Sequence, residues 1–549
     1  MAKSKYGRWE LDKGAIVSTC LDRLQGAERD RSAWMEARRQ RYVKLRGFLP
    51  EKDAPAWPGA SNAWMPMLLQ NSLRLKAQLY NAVMGTRPIM TAKSRQKIRE
   101  DAGPRIDRLQ DYQLFVEAHA EQALDDFITQ FVDDGTAVAF VRWVFEEQTI
   151  YDTRIFPALA EEVVEDAQLL PRLARIFPQT RNVTRDDANG DHWTIEFTDD
   201  QSIDRTATAD IEDLPDGRIE VLLAWKGISH EGPVMLVDDL EDIVVPVRCG
   251  NLQPPGATNP HGSPWVYRKG MATLDEIKRR RDDGTYDLLD DAGMEAIEAG
   301  RPTGTSGELE QGLKQEKDAY EGRQSGWTPS GLEDSREILE CYERWDIDGD
   351  GLEEDVIFWI ARESQQLCRV RLLSALYPGL PVRRPFAEAR FISEVNRFYG
   401  ISLLELLESL YDLSKVMLDQ GIDFGTIRNL QFGFYRPSSG LKQEEMRIIP
   451  GEFYPLDDPQ RDVMIPQWGS ENTSWHLNML TMLQAFGERV SMVSDVQLGR
   501  VPTGKASALR TMGTTMALMG QSDVRGEQIL RRLYSGLAQI YQMVHRLNR

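Results

Sequence analysis

The chain has 549 residues, 41% hydrophobic and 28% charged, with 86 Asp+Glu against 66 Lys+Arg, a net charge of −20 and a pI near 5.0. That length suits about two to four domains with ample core, and so acidic a balance excludes a protein that coats nucleic acid over its whole surface. Cys20, Cys249, Cys341 and Cys368 lie far apart, the charged N-terminal stretch lacks the apolar core of a signal peptide, and no apolar run reaches about 18 residues; a disulfide framework, secretion and a membrane span are therefore not expected, and the natural place of synthesis is a reducing cytoplasm.

Residues 10–46 read as a helix whose Trp34, Ala37, Arg38, Arg41 and Leu45 mix apolar and basic faces. Arg38, Arg39, Arg41 and Arg46 would meet nucleic acid or ion-pair with a neighbouring subunit, and the acidic composition favours the second. After the turn-rich Ala56–Asn62 connector, a second helix is expected over about 65–84, with Leu68, Leu69, Leu73, Leu75, Leu79 and Val83. A third is expected over 106–134, with Gly135 as its C-cap.

Then the period changes. Thr136–Phe145 is rich in branched and aromatic residues and reads as a strand. Further strands are expected at 193–197, 219–225, 234–237, 243–247, 338–345, 356–360 and 366–372, with helical material near 159–170. Glycines and prolines across 300–330 predict a flexible loop. The middle third is therefore mixed α+β.

From Gly400 the pattern is helical again. Leu403, Leu406, Leu407, Leu410, Leu413 and Met417 form an i, i+3, i+4 stripe, and a helix of about 20 residues spans roughly 30 Å. Residues 431–470 break into turns and short strands. A helix over about 474–496 follows, with Leu477, Leu480, Leu483, Phe486, Val490 and Val493, then a short loop and a helix from Ala506 to the end. Residues 474–549 hold nine Lys/Arg and four Asp/Glu, so this hairpin is basic inside an acidic chain. That contrast points to one surface that meets a polyanion.

The loop Leu498–Lys505 carries Gly499, Arg500, Gly504 and Lys505. Gly499, Gly504 and Lys505 have the spacing of a phosphate-binding loop. Ala506 stands where the magnesium-holding hydroxyl belongs, a helix rather than a strand precedes, and Pro502 removes one backbone N–H. A solvated turn and a turn projecting toward DNA remain.

Asp346, Asp348, Asp350 and Gly351 match the first half of a calcium loop, and Ca2+ or Mg2+ is the cation such ligands would take. Ile357 stands where a bidentate Glu is required; Glu353, Glu354 and Asp355 are nearby substitutes, and an ion-free Asp/Gly hairpin turn is the alternative. The six histidines (119, 192, 230, 261, 476 and 545) have no metal or triad spacing, His230 and His261 lie in turn-like stretches, and no hydrolase or metalloprotease motif occurs. No cofactor is required by the pattern, and nothing in it calls for an enzyme.

The order of these parts resembles tailed bacteriophage portal proteins, the head-to-tail connectors. The resemblance rests on the N-terminal helix followed by Trp57–Asn62, the helix ending near Gly85-Thr-Arg-Pro88, and the Asp134–Trp143 strand. It continues through the Asp346–Gly351 turn, Arg384-Pro-Phe386, and Arg397-Phe-Tyr-Gly400-Ile-Ser before a long helix. The last part is a helix, a glycine-containing loop and an Ala/Leu-rich helix. No single motif is diagnostic; their order spans nearly the whole chain.

The resemblance implies a homo-oligomeric ring, usually a dodecamer, at one vertex of the viral capsid. Its fold would be a portal-like α+β subunit. Residues 1–398 would form a mixed α/β wing, 399–430 the first stem helix, 431–470 the small clip, and 471–497 the second stem helix. Residues 498–505 would be the tunnel loop and 506–549 a long wing helix toward a crown. The implied partners are double-stranded DNA in the channel, the terminase packaging motor, head-tail adaptor or tail proteins, and the major capsid and scaffolding proteins. Arg500 and Lys505, flexed by Gly499 and Gly504, would face passing DNA. Another head-tail connector component, or a nucleotide- or metal-dependent enzyme, is the alternative.

Overall fold

The computed structural model describes residues 12–48, 60–85, 87–92, 102–156, 173–177, 179–185, 192–198, 204–213, 219–300, 335–379, 382–429, 434–435, 463–464, 473–491 and 512–549. The chain is mixed α+β, as expected.

Helix α1 is Lys13–Arg46. Asp12 starts it by accepting from the Ala15 N–H at 3.1 Å. Gly47 ends it in the left-handed region at φ 78, where a Cβ would collide with the Trp64 ring. Helix α2 is Met67–Met84. The single helix expected over 106–134 is instead two, α3 (Ala102–Tyr112) and α4 (Glu121–Asp133). A π-helical turn at Gln113–Glu117 and a break at His119, φ 48, separate them. The apolar pattern runs on through this break, which is why periodicity alone joined the two.

The strands form two large antiparallel sheets. The first is ordered β11-β1-β5-β4-β3-β2, with β1 Thr136–Phe156, β2 Thr180–Arg185, β3 His192–Thr198, β4 Asp204–Asp213, β5 Ile219–Leu236 and β11 Phe386–Arg390. The second is ordered β10-β9-β8-β7-β6, with β6 Ile243–Val244, β7 Val266–Thr273, β8 Ser335–Trp345, β9 Glu354–Ala361 and β10 Gln366–Leu372. Strands expected separately at 219–225 and 234–237 are one strand, β5, so His230 lies within a strand rather than a turn. The strand pairs with β1 throughout, and a register shift at Glu146/Glu147 takes up the irregularity. The strand expected at 243–247 is only Ile243–Val244. Helices α5 (Leu274–Asp282) and α6 (Asp291–Ala299) were not evident in the sequence. The stretches expected at 159–170 and 300–330 lie outside the described residues, save Gly300, which closes α6.

Three long helices complete the chain: α7 (Leu403–Asn429), α8 (Thr473–Ser491) and α9 (Met512–Leu547). Between α7 and α8, strands β12 (Phe434–Tyr435) and β13 (Val463–Met464) pair antiparallel.

β1 is the wall between two cores. Ala137, Ala139 and Val141 face a core made with α2, α4, α7 and α9, including Phe127, Phe131, Phe391, Leu407 and Leu537. Val138 and Phe140 face a second core against the five-stranded sheet, α5 and α6. This is the two-residue alternation of a strand buried on both faces. The N-terminal half of α1 covers the far side of the five-stranded sheet through Ile16, Val17, Cys20 and Leu24. A separate small core (Trp193, Ile195, Phe197, Val221, Leu223) holds the distal part of the first sheet, where the rings of Phe177 and Phe197 stack at 3.8 Å.

Candidate functional site: a helical pair anchored to the sheets

Helix α7 carries one acidic row and one apolar face. Glu405, Glu408 and Asp412 meet α1: Arg41 pairs with Glu405 at 2.7 Å, and Lys44 pairs with Glu408 at 2.7 Å and Asp412 at 3.0 Å. About two and three turns further on, Asp419 and Asp423 hold the end of the connector before α2. The Ala63 N–H donates to Asp419 at 2.8 Å and the Ser61 N–H donates to Asp423 at 2.8 Å. Lys415 ties Asp419 at 2.9 Å and Asn62 at 2.7 Å. Spacings near 3.6 put these groups on one side of the helix.

The arginines singled out on α1 have partners within the subunit, which neither sequence reading anticipated. Arg38 is half-buried among Asp134, Asp239 and Glu241, Arg39 pairs with Glu36 at 3.1 Å, and Arg46 sits over the rings of Tyr42 and Phe48. The partners of Arg38 and Arg41 lie about a hundred to several hundred positions away, and sequence spacing carries no trace of them, whereas those of Arg39 and Arg46 are local.

Leu403, Leu404, Leu407 and Tyr411 bury the inner face of α7. Burial pushes the Tyr411 phenol up to about 12. Helix α8 packs beside α7, with Gly487 pressed against Met67 of α2. Two of the six residues of the expected stripe on α8, Leu477 and Phe486, are exposed in the subunit, as are Trp475 and Met482 beside them. Leu483 is buried, while Leu477 is 60% exposed. On α7, Leu413, Val416 and Ile422 are exposed as well.

The acidic turn lies in the β8–β9 hairpin. It brings together Asp346 and Asp348 with Glu354, whose carboxylate oxygens converge within 4.8 Å. Asp350 is not among them: its carboxylate accepts the Leu352 N–H at 2.7 Å. Asp346 accepts from the N–H groups of Gly349 at 2.7 Å and Gly351 at 2.9 Å, so the turn is organised by its own backbone. The sequence pattern thus located two of three converging carboxylates. The third lies at the start of β9, one of the nearby acids in the shorter-loop alternative.

Where α9 and the 250–265 region meet the first sheet, two glutamines close its β11 edge. Gln253 accepts from the Arg384 N–H at 3.0 Å and donates to the Arg384 and Phe386 carbonyls. Gln539 on α9 accepts from the Glu388 N–H at 3.3 Å and donates to its carbonyl at 3.2 Å. The Arg384 guanidinium, held near pKa 10 by burial, donates to the carbonyls of Leu252, Ser263 and Pro264. These contacts explain the Arg384-Pro-Phe386 stretch noted in the sequence. The glutamines themselves gave no sequence signal.

The loop Leu498–Lys505, with Gly499, Arg500, Gly504 and Lys505, lies outside the described residues, as does most of 431–470. A family model described as "Phage SU10 portal protein" matches residues 16–549. The chain belongs to this portal protein family. Members are structural components of the phage virion, not enzymes. No curated protein matches the chain. Among the described residues, no helix is long and apolar enough to cross a membrane.

Proposed function

We propose that this portal protein forms the ring-shaped channel at one capsid vertex through which DNA is packaged, retained and ejected. The ring docks the terminase motor on one side and head-tail adaptor or tail proteins on the other. It also contacts the major capsid and scaffolding proteins. The carrying observation is a family match over nearly the whole chain, joined to apolar residues of α7 (Leu413, Val416, Ile422) and α8 (Trp475, Leu477, Met482, Phe486) that stay exposed in the subunit. A head-to-tail ring buries such residues between neighbours and requires unlike surfaces on the two sides of each subunit.

On this reading α7 and α8 are the stem helices within 399–430 and 471–497. The clip is 431–470, the tunnel loop is 498–505, and α9 belongs to the wing helix 506–549. Arg500 and Lys505 touch passing phosphates; so few basic groups hold DNA weakly enough for sliding. Ca2+ or Mg2+ at Asp346, Asp348 and Glu354 is a subsidiary proposal, refuted by calorimetry that finds no heat with either ion.

The deciding experiment is mass in solution with negative-stain imaging. A ring with a central hole and a mass near twelve times 62.6 kDa is expected. A stable monomer that binds nucleotide would overturn the reading. Within rings, Arg500→Ala with Lys505→Ala should leave assembly intact and change DNA retention. Failure of that double variant to assemble would make the loop structural instead.

A further inference from the structure

The first sheet treats its edges unequally. β11 covers β1 only over Thr136–Phe140, and its own outer edge is closed by Gln253 and Gln539. From Arg142 to Phe156, β1 has β5 on one side and, among the described residues, no strand on the other. The Val141 N–H bonds Pro385 just before β11. By two-residue alternation, the backbone groups of Trp143 and Phe145 point along the same, now unpaired, edge. Five charged residues and the register shift at Glu146/Glu147 interrupt this edge without covering it. Residues 142–156 contain no Lys and no Pro, and Trp143, Phe145, Ile150, Tyr151 and Ile155 are exposed, Tyr151 at 70%.

The opposite edge of the same sheet is β2, which among the described residues pairs only with β3. The two edges differ in charge. The free part of β1 carries Glu146, Glu147 and Asp152 against Arg142 and Arg154, while β2 carries Arg181 and Arg185 and no acid. Arg181 is paired with Asp204 only on the exposed surface, where an ion pair exchanges partners at little cost. The sequence of antiparallel pairings β1-β5-β4-β3-β2 makes β1 and β2 run in the same direction.

We propose that the free edge of β1 receives β2 of a second copy of this chain as a parallel strand, joining the distal sheets head to tail. The pairing rests on the ring reading, since it uses two unlike edges and is satisfied at every subunit only when the chain of contacts closes. It fixes the hand of the ring, because the β1 side of each subunit always meets the β2 side of the next. It also covers the apolar residues of β1 that the subunit leaves in water.

The test is disulfide trapping in the full-length protein. Thr149 and Thr153 on β1 and Thr184 on β2 are exposed, and their ladder partners place them on the same face of the sheet. The four native cysteines are buried, so background is low. Thr153→Cys with Thr184→Cys, and separately Thr149→Cys with Thr184→Cys, are oxidised in the assembled state. At least one pair should give a ladder of covalent multimers that reductant dissolves, while each single cysteine stops at dimer. Phe145→Lys should suppress the ladder severalfold with unchanged far-UV circular dichroism. Rings of full mass that form no ladder with either pair would overturn edge pairing and leave the ring reading standing. Wild-type protein that stays monomeric under all conditions would overturn both.

Discussion

Gly135 and Gly400 face each other at the junction of the first sheet with α7. A Cβ built on either one would lie 2.5 Å from the carbonyl oxygen of the other. Gly135 also sits at φ 76, and the Gly400 N–H bonds the Thr136 hydroxyl at 2.8 Å. The start of β1 and the start of α7 are thus held backbone to backbone, with no room for a side chain between them.

Alanine at either position should therefore destabilise the fold by more than about 1 kcal/mol, since steric overlap adds to any backbone strain. Urea midpoints of Gly135→Ala and Gly400→Ala, compared with the open-space control Gly256→Ala, check this. Two unaffected midpoints would mean that the junction opens readily.

Arg384→Met should cost about 3 kcal/mol or more. The substitution leaves the buried Leu252 and Ser263 carbonyls without their donor. Thermal unfolding measures the loss. A variant as stable as wild type would show that water replaces the guanidinium.

Glu388 is buried, and desolvation raises its carboxyl above the ordinary range despite Arg390 and the Leu252 N–H, which act in the opposite sense. The native state then keeps this proton to higher pH than the unfolded chain does. The Glu388 contribution to stability therefore falls as pH rises from the unfolded carboxylate value through the raised native one. Denaturation midpoints at several pH values across the carboxylate range should show wild type losing ground to Glu388→Gln with increasing pH. A constant difference between the two would refute the shift.

Leu477→Gln combined with Phe486→Gln removes apolar surface that is already exposed in the subunit. Subunit stability should change by less than about 0.5 kcal/mol, while ring formation, followed by light scattering, should require severalfold more protein. Assembly at the wild-type concentration would place the contact elsewhere on these helices.

The parts legible in the sequence were those with one strong period. Helices α1, α2 and α7 and strands β8, β9 and β10 follow from their apolar spacing. β2 and β4 did not, because Thr180–Arg185 and Asp204–Asp213 are polar or small, and only Val183, Ala207, Ala209 and Ile211 turn inward. The break at His119 was hidden because apolar residues continue on both sides of it. At the acidic turn, spacing found Asp346 and Asp348 and included Asp350, whose carboxylate accepts the Leu352 N–H instead. The grip of α1 and the 61–63 segment on α7 is a long-range fact that no local pattern encodes.

The placement of β1 between two cores has a mechanical consequence. Sliding the strand by one residue would exchange Ala137, Ala139 and Val141 for Val138 and Phe140 in both cores at once, overfilling one and emptying the other. The inner part of the strand, Ala137–Val141, is therefore held in one register. Its Gly135 end meets the backbone just before α7, so the register of β1 also fixes where that helix begins.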